Sequence, residues 1–331
     1  MRAGILGAGG WGIALGMILE QNGHDVTLWE FREDVAKSMA ETRENADVLP
    51  DIEIPKRIDI TSDLSKAIQD KDLILITLPS HVVRSVLETV HLQYSGEAIW
   101  VSASKGIENG TLKRMSQVIA ECLPQVLEEQ IATLSGPSHA EEVARGVPTL
   151  IVTASTGEQT RQEVQDWFMN PQFRVYTSDD IIGVELGGSL KNVIALAAGI
   201  NDGVGNGDNT NAALITRGIV EMTRLGAAMG ANEQTFSGLS GIGDLIVTCM
   251  SKHSRNRYVG EQIGKGRTLD EVLAGMNMVA EGVRTARSVH ELANSLDVEM
   301  PISHQVYAIL FENKPAKKAV NDLMTRDPKA E

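Results

Sequence analysis

The sequence predicts an α/β domain with a parallel sheet over residues 1–178, followed by an all-α domain over residues 179–331. Two observations predict this arrangement. The first half alternates short β-type runs with amphipathic helical stretches, a pattern typical of a parallel sheet with helices on both faces. After about Tyr176 the strand signals fade, and long stretches rich in Ala, Leu, Ile and Met repeat with helical spacing. We therefore place the boundary near Thr177–Asp180.

Short apolar runs mark the strands of the first domain, and amphipathic spacing marks the helices between them. The predicted strands are Arg2–Leu6, Asp25–Trp29, Leu73–Leu78, Ala98–Ser102, Ile131–Ser135 and Thr149–Thr153. Predicted helices of this domain include Ile13–Asn22, Val82–Val90 and Leu112–Cys122, and those of the second domain include Ile182–Ile200, Ala212–Met229 and Glu281–Leu296. The helix after Asn201 is expected to begin with a flexible stretch, Gly203–Gly207, to which the sequence assigns no role.

The charge balance limits the partners of this protein. It carries 44 acidic and 30 basic residues, a formal net charge of −14. A surface this acidic repels nucleic acid and anionic lipid, so neither is expected as a partner. An anionic ligand therefore has to be held by a few local donors.

The cysteines and histidines do not indicate a metal site. Cys122 and Cys249 are far apart in the sequence and are expected to be buried free thiols, although one bridge is arithmetically possible. His139, His253 and His304 show no metal-ligand spacing. No secretory signal is visible, and the longest apolar stretches are too short to cross a bilayer, which predicts a cytoplasmic protein.

A glycine-rich motif follows the first predicted strand. Residues 7–12, Gly-Ala-Gly-Gly-Trp-Gly, fit G-x-G-x-x-G and open a helix, the context in which this pattern indicates dinucleotide binding. Gly7 would make the tight turn, Gly9 would admit a pyrophosphate, and Gly12 would let helix and strand pack closely. The helix N-terminus would present N–H groups to the phosphates. The alternative is a glycine-rich turn without a ligand.

The choice between NAD and NADP stays open in the sequence. Glu30, at the end of the second strand, is placed to bind the ribose hydroxyls and would repel a 2′-phosphate. Arg32, two residues later, could hold that phosphate instead. Glu30 could also be a solvated charge at the strand end.

One lysine interrupts an apolar helix face. Lys191 lies in the predicted helix Ile182–Ile200, and its neighbours at helical spacing are all apolar or glycine, including Gly187 and Gly188. Burial of this amine without a full counter-charge would lower its pKa and suit it to proton transfer near neutral pH. The alternative is a lysine whose ammonium reaches water along the helix surface.

Two candidate ligand segments follow predicted strands. Ser135–Ala140 has small residues and exposed N–H groups that could hold a polar ligand, or it is only a strand-to-helix loop with Ser138 as the helix cap. Lys105, in Ser104–Gly106, lies just past a strand end, where ligands bind in open α/β sheets. Its alternative is a solvated loop lysine.

Two further candidates lie in the second domain. Asp244, in the glycine-flanked segment Ser240–Leu245, either caps a helix or reaches into a site. Arg255 and Asn256, which follow Ser254, could bind a phosphate by charge-assisted hydrogen bonds. Their alternative is the solvated start of a helix.

Together these segments closely resemble bacterial NAD(P)-dependent glycerol-3-phosphate dehydrogenase, nearly end to end. Each segment alone is weak, but their order and spacing make the resemblance specific. The segments are Gly7–Gly12, Leu78–His81, Ser104–Gly106, Ser135–Pro137, Val184–Val193, Gly241–Leu245, Ser254–Asn256, Val279–Gly282 and Met300–Ile302.

The resemblance implies a Rossmann-type first domain, a helical second domain similar to that of 6-phosphogluconate dehydrogenase, and a site in the cleft between them. It implies hydride transfer between NAD(P)H and dihydroxyacetone phosphate, with Lys191 as proton donor and acceptor and with Lys105 and Asp244 orienting the reacting oxygens and tuning Lys191. The product would feed phospholipid synthesis, and the enzyme would be a homodimer. The implied substrate-binding residues are Lys105, Gly136, Ser138, Lys191, Asp244, Ser254, Arg255 and Asn256. The implied cofactor-binding residues, besides Gly7, Gly9 and Gly12, are Gly10, Trp11, Phe31, Arg32, Lys105, Ala140, Arg255, Val279 and Glu281.

Two other functions fit the sequence less well. Another dehydrogenase with a nucleotide domain followed by helices, such as a 6-phosphogluconate, hydroxyacyl-CoA or ketopantoate enzyme, does not account for the segments around Asp244 and Arg255. A nicotinamide-binding sensor without catalysis would have no reason to carry Lys191, Asp244 and Arg255 together.

Overall fold

A computed structural model of the chain describes residues 1–276 and 279–328. The chain divides into two compact units: Met1–Lys105 with Lys113–Glu185, and Gly106–Leu112 with Leu186–Glu331. The boundary between Glu185 and Leu186 lies inside a long helix, a few residues beyond the boundary at 178/179 that the sequence suggested.

The first unit is an α/β unit whose strands, within the described residues, form one eight-stranded sheet of order β3-β2-β1-β4-β5-β6-β7-β8. All neighbouring strands are parallel except β6 and β7, which are antiparallel. The predicted fold class, a parallel-dominated sheet followed by a helical domain, is confirmed. The strands are β1 Arg2–Leu6, β2 Asp25–Trp29, β3 Asp59–Thr61, β4 Leu73–Ile76, β5 Ile99–Ser102, β6 Ile131–Ser135, β7 Thr149–Ala154 and β8 Phe173–Ser178.

The central strands are buried on both faces, as expected when helices cover both sides of a parallel sheet. Every residue of β4 and β5 is buried. The helices of this unit are α1 Gly10–Gln21, α2 Glu33–Thr42, α3 Leu64–Ile68, α4 Val83–His91, α5 Met115–Cys122, α6 Ala140–Ala144 and α7 Glu158–Phe168. The strand order reverses between β1 and β4, which makes a crevice at the carboxyl ends of these strands, where open α/β sheets bind ligands.

The second unit is helical. Its helices are α8 Ile181–Val204, which begins in the first unit, α9 Asp208–Ala228, α10 Asp244–Met250, α11 Arg255–Gly264, α12 Leu269–Ala274, α13 Glu281–Ser295, α14 Pro301–Phe311 and α15 Ala316–Met324. Among the described residues, α8 is the one helix long and apolar enough to cross a membrane, and 94% of its most apolar window is buried in the protein. It is therefore a core helix.

The expected role of the glycine stretch at 203–207 as the start of a helix is wrong. Gly203 belongs to the last turn of α8, Gly205 follows with a left-handed φ of +92°, and Gly207 is the N-cap of α9. The glycines end one helix and cap the next, as glycine commonly does at helix ends.

Gly203 also has a packing role, because α8 and α11 meet backbone against backbone. Gly199 and Gly203 on α8 face Gly260 and Gly264 on α11. A Cβ on Gly199 would lie 1.9 Å from the carbonyl oxygen of Arg257, and one on Gly260 would lie 2.1 Å from that of Leu196. Glycine at these positions is therefore what allows the two helices to approach this closely.

We predict that Gly199→Ala destabilises the protein by about 1–3 kcal/mol, because the added methyl group forces α8 and α11 apart. Gly207→Ala is the matched control, since a Cβ there meets no atom within 4 Å, and its cost should stay below about 1 kcal/mol. Denaturant unfolding followed by circular dichroism measures both. Equal stabilities of the two variants would contradict the role given to this helix crossing.

Candidate active site

Several predicted site residues of the first unit lie at one edge of the sheet. β1, β4, β5 and β6 are mutually parallel, so their carboxyl ends share an edge. Gly7 follows β1, Lys105 lies three residues after β5, and Gly136 follows β6. This edge is also where the strand order reverses.

The glycine motif turns sharply between β1 and α1. Gly7 has a φ of +117°, in the left-handed region that favours glycine. A Cβ on Gly12 would lie 2.0 Å from the carbonyl oxygen of Gly7, so this glycine lets α1 start directly against the strand. Thr77, which the sequence analysis did not single out, closes the turn by donating its hydroxyl to the carbonyl oxygen of Gly7 at 2.8 Å.

The residues present fit a bound dinucleotide phosphate. A Cβ on Gly9 would meet no atom within 4 Å, which leaves open space for a ligand beside the backbone. The first turn of α1 contains no acidic residue, and its N–H groups lack intrahelical acceptors. The indole Nε1 of Trp11 is buried without a hydrogen-bond partner among the described residues. Gly10 lies close to Ala140, the first residue of α6.

The end of β2 carries an ion pair. The Glu30 carboxylate accepts hydrogen bonds from the main-chain N–H of Arg32 at 3.2 Å and from its Nε at 3.1 Å. The Glu30 side chain is mostly buried, whereas the Arg32 side chain is largely exposed. Phe31 between them is exposed, with its ring edge-on to Trp29. Glu30 is therefore not a solvated charge at the strand end. Glu30, proposed to favour NAD, and Arg32, proposed to favour NADP, bind each other.

Lys105 and the segment after β6 lie together. Lys105 Nζ donates to the carbonyl oxygen of Gly136 at 3.2 Å, and Ser138 Oγ donates to the same oxygen at 3.0 Å. The expected alternative for Ser138 as a helix cap is wrong, because the N-cap of α6 is His139. The Gly136 carbonyl thus orients two candidate ligand side chains.

In the second unit, Lys191 is buried in an ion pair. Its side chain is 7% exposed, and Nζ bonds the Asp244 carboxylate, which is 1% exposed. Nζ also donates to Thr248 Oγ1 at 2.9 Å. The sequence suggested either a buried lysine without a full counter-charge or a lysine whose ammonium reaches water. Both interpretations are wrong, because Lys191 is buried and the Asp244 carboxylate is its counter-charge. Asp244 is the first residue of α10, and its carboxylate binds the Nζ of Lys191.

Asn192, the next residue on α8, is linked to α11 and α13 through Asn256. The Asn256 amide donates to Asn192 Oδ1 at 2.9 Å, and its carbonyl accepts from the Gly282 N–H at 2.9 Å. Ser254 caps α11 by accepting from the Arg257 N–H. Asn256 is therefore a buried cross-link with one remaining amide N–H.

Arg255 lies at the first position of α11. It is exposed, and its Nη1 donates to the carbonyl oxygen of Val279 at 3.0 Å. Glu281 begins α13 two residues later. The predicted cofactor residues Arg255, Val279 and Glu281 thus come from one neighbourhood of the second unit.

Sequence reasoning missed Thr248, Thr77 and the bridging role of Asn192. Thr248 lies four residues after Asp244, on the same face of α10, so helical spacing could have paired them. Thr77 and Asn192 gave no such signal, because their partners are distant in sequence. Among the described residues, no group of three or more His, Cys, Asp or Glu side chains could hold a metal ion.

Comparison with known proteins gives a consistent result. Two family models match, described as NAD-dependent glycerol-3-phosphate dehydrogenase N-terminus over residues 2–161 and C-terminus over residues 180–321. A curated protein of Prosthecochloris aestuarii named glycerol-3-phosphate dehydrogenase, NAD(P)+, is 53% identical over 327 residues, covering 99% of this chain and 98% of the relative. A Fusobacterium nucleatum protein of the same name is 50% identical, covering 100% of this chain and 98% of the relative. The crystal structure of glycerol-3-phosphate dehydrogenase from Coxiella burnetii matches with a TM-score of 0.94 at 37% identity, covering 98% and 99% of the two chains.

Both cysteines are buried free thiols, as predicted. Burial raises the pKa of the Cys249 thiol to about 12. An unfolded thiol titrates near 8.5, so the unfolded chain loses this proton first. We predict that this thiol contributes stability that is present below about pH 8.5 and falls above it, by at most about 1.4 kcal/mol per pH unit.

The measurement is denaturant unfolding between pH 8 and 10.5 for the wild type and Cys249→Ala. The variant should lose less stability over this range, since it lacks the group that titrates. Parallel curves for the two proteins would contradict the prediction.

Proposed function

The chain belongs to the NAD-dependent glycerol-3-phosphate dehydrogenase family, as its sequence predicted, and on this basis we propose that it interconverts dihydroxyacetone phosphate and sn-glycerol 3-phosphate with NAD(P)H or NAD(P)+. The observation that carries the proposal is the buried pair of Lys191 and Asp244 with Thr248. This reaction needs a proton donor at the substrate oxygen, and an amine held at a fixed direction supplies one.

The nicotinamide cofactor, when bound, supplies the hydride to C2 of dihydroxyacetone phosphate. Lys191 gives a proton to the oxygen on C2 in this direction and takes it back in the other. Asp244 and Thr248 orient the Lys191 ammonium, because each bonds Nζ directly. Lys105, held by the Gly136 carbonyl, is proposed to orient the substrate oxygens from the first unit.

The substrate phosphate is assigned to the start of α11. Arg255 offers a guanidinium for charge-assisted hydrogen bonds, and Asn256 offers its remaining amide N–H. The first turn of α11 contains no acidic residue, so its dipole favours an anion there. Gly136, Ser138 and Ser254 complete the proposed substrate site.

The cofactor is assigned to the glycine motif and the end of β2. The proposed residues are Gly7, Gly9, Gly10, Trp11, Gly12, Phe31, Arg32, Lys105 and Ala140 of the first unit, with Arg255, Val279 and Glu281 of the second. Support comes from the open space beside Gly9 and from the α1 N-terminus. No metal takes part in this proposal.

The cellular setting is also part of the proposal. We place the enzyme in the cytoplasm, as a homodimer that supplies glycerol 3-phosphate for phospholipid synthesis. The apolar residues of α8 are buried in the protein, which argues against this helix as a membrane span. The dimer and the metabolic role follow from the family resemblance.

The first prediction on activity concerns Lys191. Wild type should oxidise reduced nicotinamide when dihydroxyacetone phosphate is added, and Lys191→Ala should lower kcat by about 10²–10⁴-fold, because proton transfer is lost. Lys191→Arg retains a cation for Asp244 but cannot release its proton near neutral pH, so it should lose kcat while keeping the fold. The assay follows nicotinamide absorbance, and cofactor binding is measured separately by fluorescence.

The control for these variants is Lys317→Ala, which replaces an exposed lysine on α15. A wild type that binds cofactor but does not reduce dihydroxyacetone phosphate would refute the proposed function. Activity within tenfold of wild type in Lys191→Ala would keep the function but refute the role of Lys191.

The second prediction concerns the choice of cofactor. Arg32→Ala should lower kcat/KM with NADPH by about 10–100-fold and affect NADH far less, since a charge-assisted bond of about 1.5–3 kcal/mol to the 2′-phosphate is lost. Glu30→Gln should raise the NADPH to NADH ratio, because the carboxylate that repels the phosphate and competes for Arg32 is gone. Lys37→Ala, which removes an exposed cation from α2, is the control. An unchanged ratio in both variants would refute this assignment.

A further inference from the structure

The helical unit contains an apolar groove that the proposed reaction does not use. It is formed by α8, α9, α14 and α15 and has a volume of about 450 Å³. Small-molecule sites typically measure about 300–1,000 Å³ and have mainly apolar walls. The walls include Ala213, Leu214, Val220, Ile309, Val320 and Leu323.

The groove lies away from the proposed proton-transfer group. Ala197 and Ile200 of α8 line it. Ala197 is six residues beyond Lys191, which places it about 240° further around the helix axis. Lys191 faces α10 at Asp244, whereas Ala197 faces the groove.

Most charged groups around the groove already have hydrogen-bond partners within the protein. Arg224 donates to the main-chain oxygen of Glu299, and Arg326 pairs with the Glu299 carboxylate. Buried Glu221 accepts from the N–H groups of Ile302 and Ser303, at the start of α14, at 2.6 and 3.1 Å. Burial raises the pKa of this carboxyl group above its ordinary value, and these N–H donors oppose that shift.

Arg217 differs from these groups. It lies on α9 and lines the groove, its residue is exposed, and within residues 1–276 and 279–328 its guanidinium has no hydrogen-bond or ion-pair partner. The other two arginines of the lining, Arg224 and Arg326, both bind Glu299, so among the described residues Arg217 is the lining arginine that remains available to a ligand. A guanidinium that no carboxylate of the protein neutralises favours an anionic group beside it.

We propose that this groove binds an amphipathic anion, with an aliphatic chain between the apolar side chains of α9, α14 and α15 and an anionic head group on Arg217. The concave shape suits a chain of methylene groups, each of which gains about 0.8 kcal/mol when it leaves water. The guanidinium supplies a charge-assisted bond to a carboxylate.

The test is calorimetric titration of the full-length enzyme with sodium dodecanoate below its micelle concentration. The wild type should bind with saturation at one site per chain. Arg217→Ala should weaken binding by about 10–100-fold, the value of one charge-assisted bond. Ala213→Trp should abolish binding, because an indole placed on this exposed wall position fills the groove. Lys317→Ala removes one cation from α15 outside the lining and should bind as the wild type does.

The titration measures binding without turnover, so its result does not depend on whether the enzyme catalyses the proposed reaction. Absence of saturable binding by the wild type overturns the proposal, as does equal binding by wild type, Arg217→Ala and Ala213→Trp. Sedimentation of the same proteins tests whether a second copy of this chain occupies the groove instead. If Ala213→Trp lowers the oligomer mass while the wild type binds no dodecanoate, the groove is a contact between copies and the proposal is wrong.

Discussion

The buried pair of Lys191 and Asp244 is the interaction on which the helical unit depends most. Two charges removed from water are costly, and only their mutual attraction with further hydrogen bonds compensates for that cost. Thr248 supplies one such bond to Nζ and also donates to the main-chain oxygen of Asp244 at 2.6 Å. Loss of either charge would leave the other buried and unpaired. The residues proposed for proton transfer therefore also hold α8 against α10, so activity and stability are coupled at this point.

The glycine crossing of α8 and α11 sets the position of the proposed phosphate site. Asn192 follows Lys191 on α8, and Asn256 lies near the start of α11. Their 2.9 Å hydrogen bond requires the two helices to lie close together, which Gly199 and Gly260 allow. The distance from the proposed proton donor to the proposed phosphate ligands thus depends on backbone contact between helices, rather than on loops.

The sequence predicted the elements that are buried on both faces. The run at β4 is continuously apolar and those at β1 and β6 are mostly apolar, and their predicted positions agree with the structure within two residues. It missed β3, which has three residues, and β8, an edge strand in which buried Phe173 and Val175 alternate with exposed Arg174 and Tyr176. It identified Lys191 as a polar residue on an apolar face, but only the family resemblance linked it to Asp244, because the two lie 53 residues apart. Local spacing carries no signal for such a contact.

An acidic protein that binds anions needs helix N-termini whose dipoles are not already neutralised. The first turns of α2, α6 and α12 contain two acidic residues each, which satisfy the helix dipole with the protein's own carboxylates. The first turns of α1 and α11, the ends assigned to the pyrophosphate and the substrate phosphate, contain none. At physiological ionic strength, exposed charges are screened over about 8 Å. The distant charges behind the net charge of −14 therefore act weakly at these two helix ends, whereas a carboxylate in the first turn would act directly. The first turns of α4, α5, α14 and α15 also contain no acidic residue, so this feature permits an anion at a helix end but does not alone select the site.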